Sequence, residues 1–292
     1  MRPWRMRHWL SALAILLGIV FAGVVAMGEI LLAPAKQDVG RPPAELNAVD
    51  VTLDSANGLK ISAWLSRGRQ GAGVVLLVHG VRANRLAMLD RARFLHQFGY
   101  SLLLIDLPAH GASDGDRISY GLVEAEAVRI ALAFLAREMP HEQIGVIAIS
   151  LGAAAVVLAE PNPAPSAVVL ESMFPTIRDA LANRLRRYFG PVGTLLTPLF
   201  LWWFELRLDV SARQLAPIDK VAALGAPLLI LSGSADANTT VAETEAIFDA
   251  ASEPKSLWIV PGAAHVDLHA FSPVEYERRV ARFLGQYLPP GH

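Results

Sequence analysis

The sequence predicts an α/β fold with a mostly parallel, doubly wound sheet and helices on both of its faces. Short apolar, β-branched runs alternate along the chain with segments whose apolar residues recur at helical spacing. Several of the runs, such as residues 73–78, are apolar throughout, as expected of strands buried on both faces. Strands that alternate with helices in this way favour a parallel sheet.

Composition narrows the class of protein. The chain has 292 residues, of which 53% are hydrophobic, and a net charge of −1. This near balance of charge disfavours a nucleic-acid partner. The absence of cysteine excludes disulfides, cysteine-based metal sites and thiol nucleophiles. The high hydrophobic content indicates that part of the chain faces lipid or a large apolar groove.

The N-terminus combines a basic segment, residues 1–8, with an uncharged one, residues 9–28. About 20 apolar residues are enough for a helix to cross a bilayer. Arg2, Arg5 and Arg7 favour a cytoplasmic N-terminus, which would place the remaining chain on the opposite side of the membrane. We therefore expect a single-pass membrane anchor.

Two alternatives to an anchor stay open. Residues 24–26, Val-Val-Ala, resemble the cleavage site of a secretory signal, although the apolar segment is longer than an ordinary signal core. In that case the domain would be secreted or periplasmic. The other alternative is a buried helix of a soluble domain. Residues 29–48 contain three prolines and several charges, and are predicted to be a stiff polar linker.

The predicted catalytic domain covers residues 49–288. It begins with a β-hairpin, residues 49–53 and 59–65, whose turn contains Asn57-Gly58. The remaining strands are predicted at 73–78, 101–105, 144–149, 167–170, 227–231 and 257–260, and the helices at 84–98, 120–137, 151–159, 240–251 and 273–287. In such sheets, functional residues gather at the carboxyl ends of the strands.

Ser150 is the candidate nucleophile. It lies between a predicted strand and a helix with no intervening loop, in the sequence Ala148-Ile149-Ser150-Leu151-Gly152. So sharp a turn strains the central residue and lifts its side chain clear of the sheet, and it needs small flanking residues. Ala148 stands where the G-x-S-x-G pattern has glycine. The alternative is an ordinary helix N-cap serine.

Two further loops supply a base and an acid. Asp236 and His265 each follow a predicted strand, and the chain order serine, aspartate, histidine is the one associated with this topology. Histidine can remove the proton of a serine hydroxyl near neutral pH, and a carboxylate fixes the histidine tautomer. An oxyanion needs backbone donors, for which we expect the amides of Leu151 and Val81.

Five stretches resemble the α/β-hydrolase superfamily. They are LLVHG at 76–80, LLLIDLPAHGASDG at 102–115, AISLG at 148–152, LILSGSAD at 229–236 and PGAAH at 261–265. The chain is most similar to the serine aminopeptidase and lysophospholipase-like branch. The resemblance implies an α/β-hydrolase sheet, and the five stretches would be the oxyanion loop, a structural turn, the nucleophile elbow, the acid and the base.

Other polar residues have competing interpretations. Asp106 also follows a strand and is an alternative acid, although its turn more often has a structural role, as we expect of His110. His265, Asp267 and His269 alternate as metal ligands do on an extended strand, but the preceding Pro-Gly indicates a loop, so no metal site is predicted. The arginines at 184, 186 and 187 are most simply a solvated helix face.

A helical cap is predicted at residues 173–226, because this connection is far longer than a crossover needs. Its segment 194–208 is rich in leucine, phenylalanine and tryptophan and is interrupted by Pro198. The segment is either a cap helix packed on the core, an apolar wall for an acyl chain, or a surface that dips into the bilayer.

Together these features predict a membrane-anchored serine hydrolase that cleaves carboxylic esters through an acyl-enzyme. The expected substrates are small esters or lipid-like molecules with an apolar acyl group, and no cofactor is required. The absence of an acidic amine-binding cluster makes ester hydrolysis a better prediction than peptide hydrolysis. A peptidase, an acyltransferase with the same triad, and an inactive hydrolase-fold binding protein remain the alternatives.

Overall fold

The computed structural model describes residues 3–55 and 58–288, with side-chain surroundings from His8 onward. Arg2, the side chains of Arg5 and Arg7, and Asn57 of the predicted turn therefore lie outside the described residues. The domain is built on eight strands: β1 (Val49–Asp54), β2 (Lys60–Ser66), β3 (Val74–Val78), β4 (Ser101–Ile105), β5 (Ile144–Ile149), β6 (Ala167–Glu171), β7 (Leu228–Gly233) and β8 (Lys255–Val260).

The eight strands form one sheet in the order β8-β7-β6-β5-β3-β4-β2-β1. Strands β3 to β8 are parallel, whereas β2 runs antiparallel to both β1 and β4. Every residue of β3, β4, β6 and β7 is buried, because helices cover both faces. The predicted mostly parallel sheet, with a hairpin at its edge, is confirmed.

The helices of the described chain are α1 (Pro3–Leu32), α2 (Leu89–Gln97), α3 (Leu122–Glu138), α4 (Leu151–Leu158), α5 (Ile177–Phe189), α6 (Thr197–Leu208), α7 (Val241–Ala250), α8 (Leu268–Phe271) and α9 (Pro273–Tyr287). Helices α3 to α7 contribute to the core on one face of the sheet. The core on the other face includes residues of α2, α8 and α9. This two-sided cover is the doubly wound arrangement that the sequence predicts.

Helix α1 is longer than the predicted segment 9–28. Its part His8–Leu32 has a mean hydropathy of 2.6, and it is long and apolar enough to cross a membrane. Only 6% of its most apolar window is buried, so the alternative of a core helix is wrong. The prediction of an N-terminal helix that could span a bilayer is confirmed.

The segment 29–48, predicted as a stiff polar linker, is instead packed on the domain. Ala35 and Lys36 pair with His110 and Gly111 in a short parallel ladder. The side chains of Leu32, Val39 and Leu46 are buried as well. Because prolines and charges surround these apolar residues, the sequence shows no pattern that predicts their burial. Their packing holds the segment after α1 against the domain.

The connection from β6 to β7 forms the cap. It contains α5, a 3₁₀ turn at Pro191–Leu196, α6 and three further short turns. Pro198 lies in the first turn of α6, where no backbone donor is needed, so it begins the helix rather than interrupting it. Phe200, Leu201 and Phe204 are buried under the cap, whereas Trp202 and Leu206 are exposed.

Candidate active site

Ser150 occupies a strained turn between β5 and α4. Its backbone has φ 51° and ψ −108°, in a region that non-glycine residues seldom adopt. The Ser150 amide donates to the carbonyl of Glu171, 2.7 Å away, and the Ser150 carbonyl accepts from Ala154 within the helix. These two bonds on opposite sides of the residue hold the turn in its strained conformation.

Glycine is required just after the turn. A Cβ at Gly152 would lie 2.5 Å from the carbonyl oxygen of His79 and 2.8 Å from that of Val78, so any side chain would push α4 away from β3. Ala148, which stands where the G-x-S-x-G pattern has glycine, is fully buried in the core. The sequence therefore specifies a strand and a helix in close contact around Ser150.

Asp236 and His265 are joined directly. The His265 Nδ1 lies 2.8 Å from Asp236 Oδ2, while the other oxygen of Asp236 accepts from the amides of Asn238 and Thr239. Burial alone would raise the pKa of Asp236, but the hydrogen bond and charge of His265, together with the two amides, lower it below its usual range. Asp236 thus holds a negative charge against the imidazole.

The loops that carry these two residues are also bonded to each other. Ala235 donates to the carbonyl of Ala263, 2.8 Å away, and Gly262 donates to the hydroxyl of Ser234 at 2.7 Å. Gly233 lies so close to the Ala263 carbonyl that no Cβ would fit between them. The Asp236–His265 pair therefore rests on two loops that are fixed to each other by hydrogen bonds.

Ser150 lies at the same edge of the sheet as this pair. It follows β5, whereas Asp236 and His265 follow β7 and β8, which are parallel to β5. The side chain of His265 is 21% exposed, and Ser150 is 4% exposed. Within the described residues no hydrogen bond joins the Ser150 hydroxyl to His265, so one of the two expected triad contacts is present.

The loop after β3 lies against Ser150. A Cβ on Gly80 would come 3.6 Å from Ser150 Cβ. The ring of His79 holds this loop, since its Nδ1 bonds the Gly80 carbonyl at 2.7 Å and its Nε2 accepts from the Leu107 amide at 2.9 Å. Burial lowers the pKa of His79 to about 4, so the ring is neutral, as these two bonds require.

The held carbonyl also determines the direction of the next amide. Because a peptide unit is planar and trans, the Val81 N–H points away from the Gly80 carbonyl and therefore away from His79. The Leu151 N–H is in the first turn of α4, where amides have no partner within the helix. No hydrogen bond within the described part of the chain uses either amide. Leu151 directly follows Ser150, and Val81 directly follows Gly80, which lies against Ser150.

Asp106 has a different environment from Asp236. It is fully buried, and its two oxygens accept from the Arg85 amide at 2.7 Å, the Arg85 guanidinium at 2.9 Å and the Ala112 amide at 2.8 Å. His110 is buried beside it, with one ring nitrogen accepting from the Arg82 amide. Both residues therefore hold the turn, and within residues 3–55 and 58–288 the carboxylate of Asp106 makes no hydrogen bond to a histidine.

Sequence reasoning missed a buried ionic cluster beside the site. Arg91 has no exposed surface and donates twice to Glu171, at 2.9 and 2.7 Å, and also to Asp267 at 3.1 Å. Glu171 accepts the Ser150 amide through its backbone, and Asp267 lies two residues beyond His265. The cluster thus connects the serine turn with the histidine loop. In the sequence Arg91 is one of several charges of α2, and nothing distinguishes it from the exposed ones.

The three alternating residues weighed as metal ligands have separate partners. His265 bonds Asp236, Asp267 bonds Arg91, and His269 Nε2 lies 2.9 Å from Glu277. Within residues 3–55 and 58–288, no group of three or more metal-binding side chains is placed to hold an ion.

The chain is similar to curated proteins over most of its length. It is 30% identical over 223 residues to the uncharacterized protein Rv2307c of Mycobacterium tuberculosis, covering 75% of this chain and 72% of the relative. It is 24% identical over 254 residues to the uncharacterized protein YqkD of Bacillus subtilis, covering 85% of this chain and 82% of that protein.

Solved structures share the fold. The esterase Pf2001 of Pyrococcus furiosus superposes with a TM-score of 0.73 at 23% identity, covering 88% of this chain and 98% of the esterase. The α/β hydrolase GrgF from Penicillium sp. sh18 gives a TM-score of 0.64 at 20% identity, covering 82% of this chain and 99% of GrgF. A model of the alpha/beta hydrolase family matches residues 75–282, a range that includes Ser150, Asp236 and His265. With this match over most of the domain, the chain belongs to the alpha/beta hydrolase family.

Proposed function

We propose that this protein is a membrane-anchored serine esterase. The observation that carries the proposal is the 2.8 Å bond between Asp236 and His265 at the sheet edge where Ser150 occupies its strained turn. The esterase Pf2001, which shares the fold over 88% of this chain, supports the choice of reaction class. The proposed substrates are carboxylic esters with an apolar acyl group.

In the proposed mechanism, His265 removes the proton of the Ser150 hydroxyl as its oxygen attacks the ester carbonyl. Asp236 keeps the His265 Nδ1 protonated and stabilises the imidazolium that forms. The amides of Val81 and Leu151 would bind the negative oxygen of the tetrahedral intermediate. His265 then gives its proton to the leaving alcohol, and water releases the acyl group from Ser150 by the same steps. The missing Ser150–His265 contact would form with substrate bound, since catalytic hydrogen bonds are often long in the free enzyme.

The proposed anchor is α1, retained in the mature protein. Leu32 is buried in the domain core, and Trp203 packs against Gly28 so closely that a Cβ there would not fit. Cleavage after Ala26 would remove Val24, which is 3% exposed, and would expose its contacts. The basic N-terminus favours the cytoplasm, which places the catalytic domain on the other side of the membrane.

Ser150→Ala tests the chemistry. We expect this variant to lose p-nitrophenyl ester hydrolysis and fluorophosphonate labelling while keeping its melting temperature. Ser172→Ala is a matched control, because Ser172 also follows a strand of the same edge, has φ 46° and is 3% exposed. It should keep both activities. A wild-type protein that no serine-directed probe labels would instead be an inactive hydrolase-fold binding protein.

A series of p-nitrophenyl esters tests the acyl preference separately. Rates that rise from acetate to longer chains are expected. Rates that are highest for acetate and fall steadily with chain length would refute the preference for apolar acyl groups, without affecting the assignment of Ser150.

A further inference from the structure

The cap exposes a large apolar surface. Between Arg187 and Glu205 the sequence has no charged residue. We call the cap tip the set of large side chains exposed here and in the following turn: Tyr188, Phe189, Val192, Leu195, Trp202 and Leu206. Leu195 is 76% and Val192 71% exposed. Soluble surfaces rarely expose so many large apolar groups together, and those that do usually contact a partner or a membrane.

The position of the cap tip follows from the contacts between α1 and α6. Glu29 receives two hydrogen bonds from the Arg207 guanidinium, at 2.6 and 3.0 Å, and a third from Trp203 at 3.1 Å. Eight residues earlier in α1, the ring of Phe21 lies 6.0 Å from that of Trp202. The contacts thus advance in the same direction along both helices, so the residues before Trp202 lie toward the N-terminal, apolar part of α1.

The rise of an α-helix gives the depth of these contacts relative to the membrane surface. Eight residues of α-helix rise about 12 Å. If the Glu29–Arg207 pair marks the level where α1 leaves the hydrocarbon, Phe21 lies about 12 Å below it on α1, and Trp202, five residues before Arg207 on α6, lies about 7 Å below it. The turn with Val192 and Leu195 precedes Trp202 and packs against both α5 and α6. It therefore lies on the bilayer side of the Glu29–Arg207 pair, as Trp202 does.

The charges beside the cap tip suit a lipid surface. Arg186 and Arg187 are exposed at the end of α5, immediately before Tyr188. Guanidinium groups bind phosphate oxygens with two parallel hydrogen bonds. Tyrosine and tryptophan are enriched where the hydrocarbon meets the headgroups. A second copy of the chain would need a complementary apolar surface, whereas under the proposed anchoring the lipid around α1 would already meet Phe21, which is exposed beside Trp202.

We propose that the cap tip is a second membrane-contact surface, which inserts into the interface of the bilayer leaflet where α1 emerges, with Arg186 and Arg187 on lipid phosphates. The proposal rests on the anchoring role proposed for α1. It holds the cap at the bilayer surface through two separate elements of the chain, and it brings the catalytic domain to esters that partition into lipid.

The absence of cysteine makes a direct test simple. Full-length Leu195→Cys, labelled with an NBD fluorophore, is reconstituted in vesicles of 70% phosphatidylcholine and 30% phosphatidylglycerol that contain nitroxide-bearing lipids. Leu13→Cys on α1 reports the anchor. Val274→Cys is the matched control, because Val274 is 81% exposed on α9, which packs on the other face of the sheet. We expect lipid quenching and a blue-shifted emission at positions 195 and 13, and neither at 274.

The outcomes separate the two proposals. Quenching at 13 without quenching at 195 would overturn the cap-tip proposal and leave the anchor intact. No quenching at 13 would refute the anchor and the cap-tip proposal with it. A label at position 195 that is shielded from the nitroxide lipids, combined with disulfide-linked dimers of the unlabelled Leu195→Cys variant, would show that a second copy covers the surface and would overturn the proposal.

The role of the arginines has its own variant. Arg186→Gln combined with Arg187→Gln should reduce the quenching at position 195 in the vesicles with phosphatidylglycerol, and should leave the quenching at position 13 unchanged. Equal quenching at 195 with and without the arginines would overturn the phosphate contact.

Discussion

Asp106 and Asp236 both follow strands at the carboxyl edge of the sheet, and both were candidates for the acid. Asp106 accepts from the Arg85 guanidinium and from two backbone amides, and has no exposed surface. Asp236 accepts from two amides through Oδ1 and from His265 through Oδ2. The two carboxylates therefore differ chiefly in the side chain that each one faces.

The nature of that partner decides what each carboxylate can do. Arginine keeps its charge at every accessible pH, so Asp106 and Arg85 form a fixed pair that binds the turn to the sheet. Histidine can gain and lose a proton, and the side chain of His265 is 21% exposed. One residue type at one edge of the fold thus serves as a structural element at Asp106 and, in the proposed mechanism, as part of the chemistry at Asp236.

The largest effect is expected for Asp236→Asn. The amide can leave His265 in the wrong tautomer, and such a replacement lowers kcat by about 10⁴-fold in serine proteases. Ester hydrolysis should fall by a comparable factor, while the melting temperature changes little. Asp249→Asn, an exposed aspartate of α7, is the control and should retain full activity. An Asp236→Asn variant with normal kcat would remove Asp236 from the triad.

Asp106→Asn should affect stability instead of catalysis. The change leaves the Arg85 cation, which is 2% exposed, without its counter-charge, and breaking a buried ion pair in this way costs about 3–5 kcal/mol. The expected result is a lower free energy of unfolding in urea, with near-normal kcat per folded molecule. Adding Arg85→Met, which can still pack on the Trp64 ring, should recover part of the loss. Unchanged stability with reduced kcat would make Asp106 the acid.

The sequence was sufficient to identify the candidate residues, because the ends of buried strands are marked locally. The apolar runs before Ser150 and Asp236 predict where each strand ends, and chain order then assigns the roles. Chain order favours Asp236 over Asp106 as the acid, but the sequence does not show which distant side chain faces each carboxylate. His265 is 29 residues from Asp236 in the sequence, and Arg85 is 21 residues from Asp106.

The features that the sequence did not predict depend on contacts between residues that are far apart in the chain. Arg207 binds Glu29 across 178 positions, and Arg91 binds Asp267 across 176. Both arginines lie in helices, α6 and α2, where the local sequence pattern alone predicts a solvated charge. The burial of Val39 and Leu46 in the predicted linker was also hidden, because a few apolar residues among prolines have no periodicity to indicate a packed segment.

The smallest expected effect is a change of stability with pH, and it again separates the surroundings of Asp106 from those of Asp236. His79 belongs to the buried scaffold around Asp106, and its pKa is about 4 in the folded protein against an ordinary 6.5. The unfolded chain therefore takes up a proton that the folded chain does not, so stability falls as the pH drops through this window. From pH 7 to about pH 4.5 the loss should be about 2 kcal/mol. Asp236 contributes little to this loss of stability. Its lowered pKa keeps the carboxylate of the folded protein charged until the pH falls below the range in which an aspartate ordinarily titrates.

His79→Asn isolates this contribution. The Asn amide can still donate to the Gly80 carbonyl, but it has no group that ionises. The variant should be less stable than the wild type at pH 7, since the Leu107 amide loses its acceptor, and the difference should narrow as the pH approaches 4.5. Urea denaturation of both full-length proteins in detergent at several pH values measures this difference in stability. Parallel stability curves would mean that His79 is not the buried neutral group on which the loop after β3 depends.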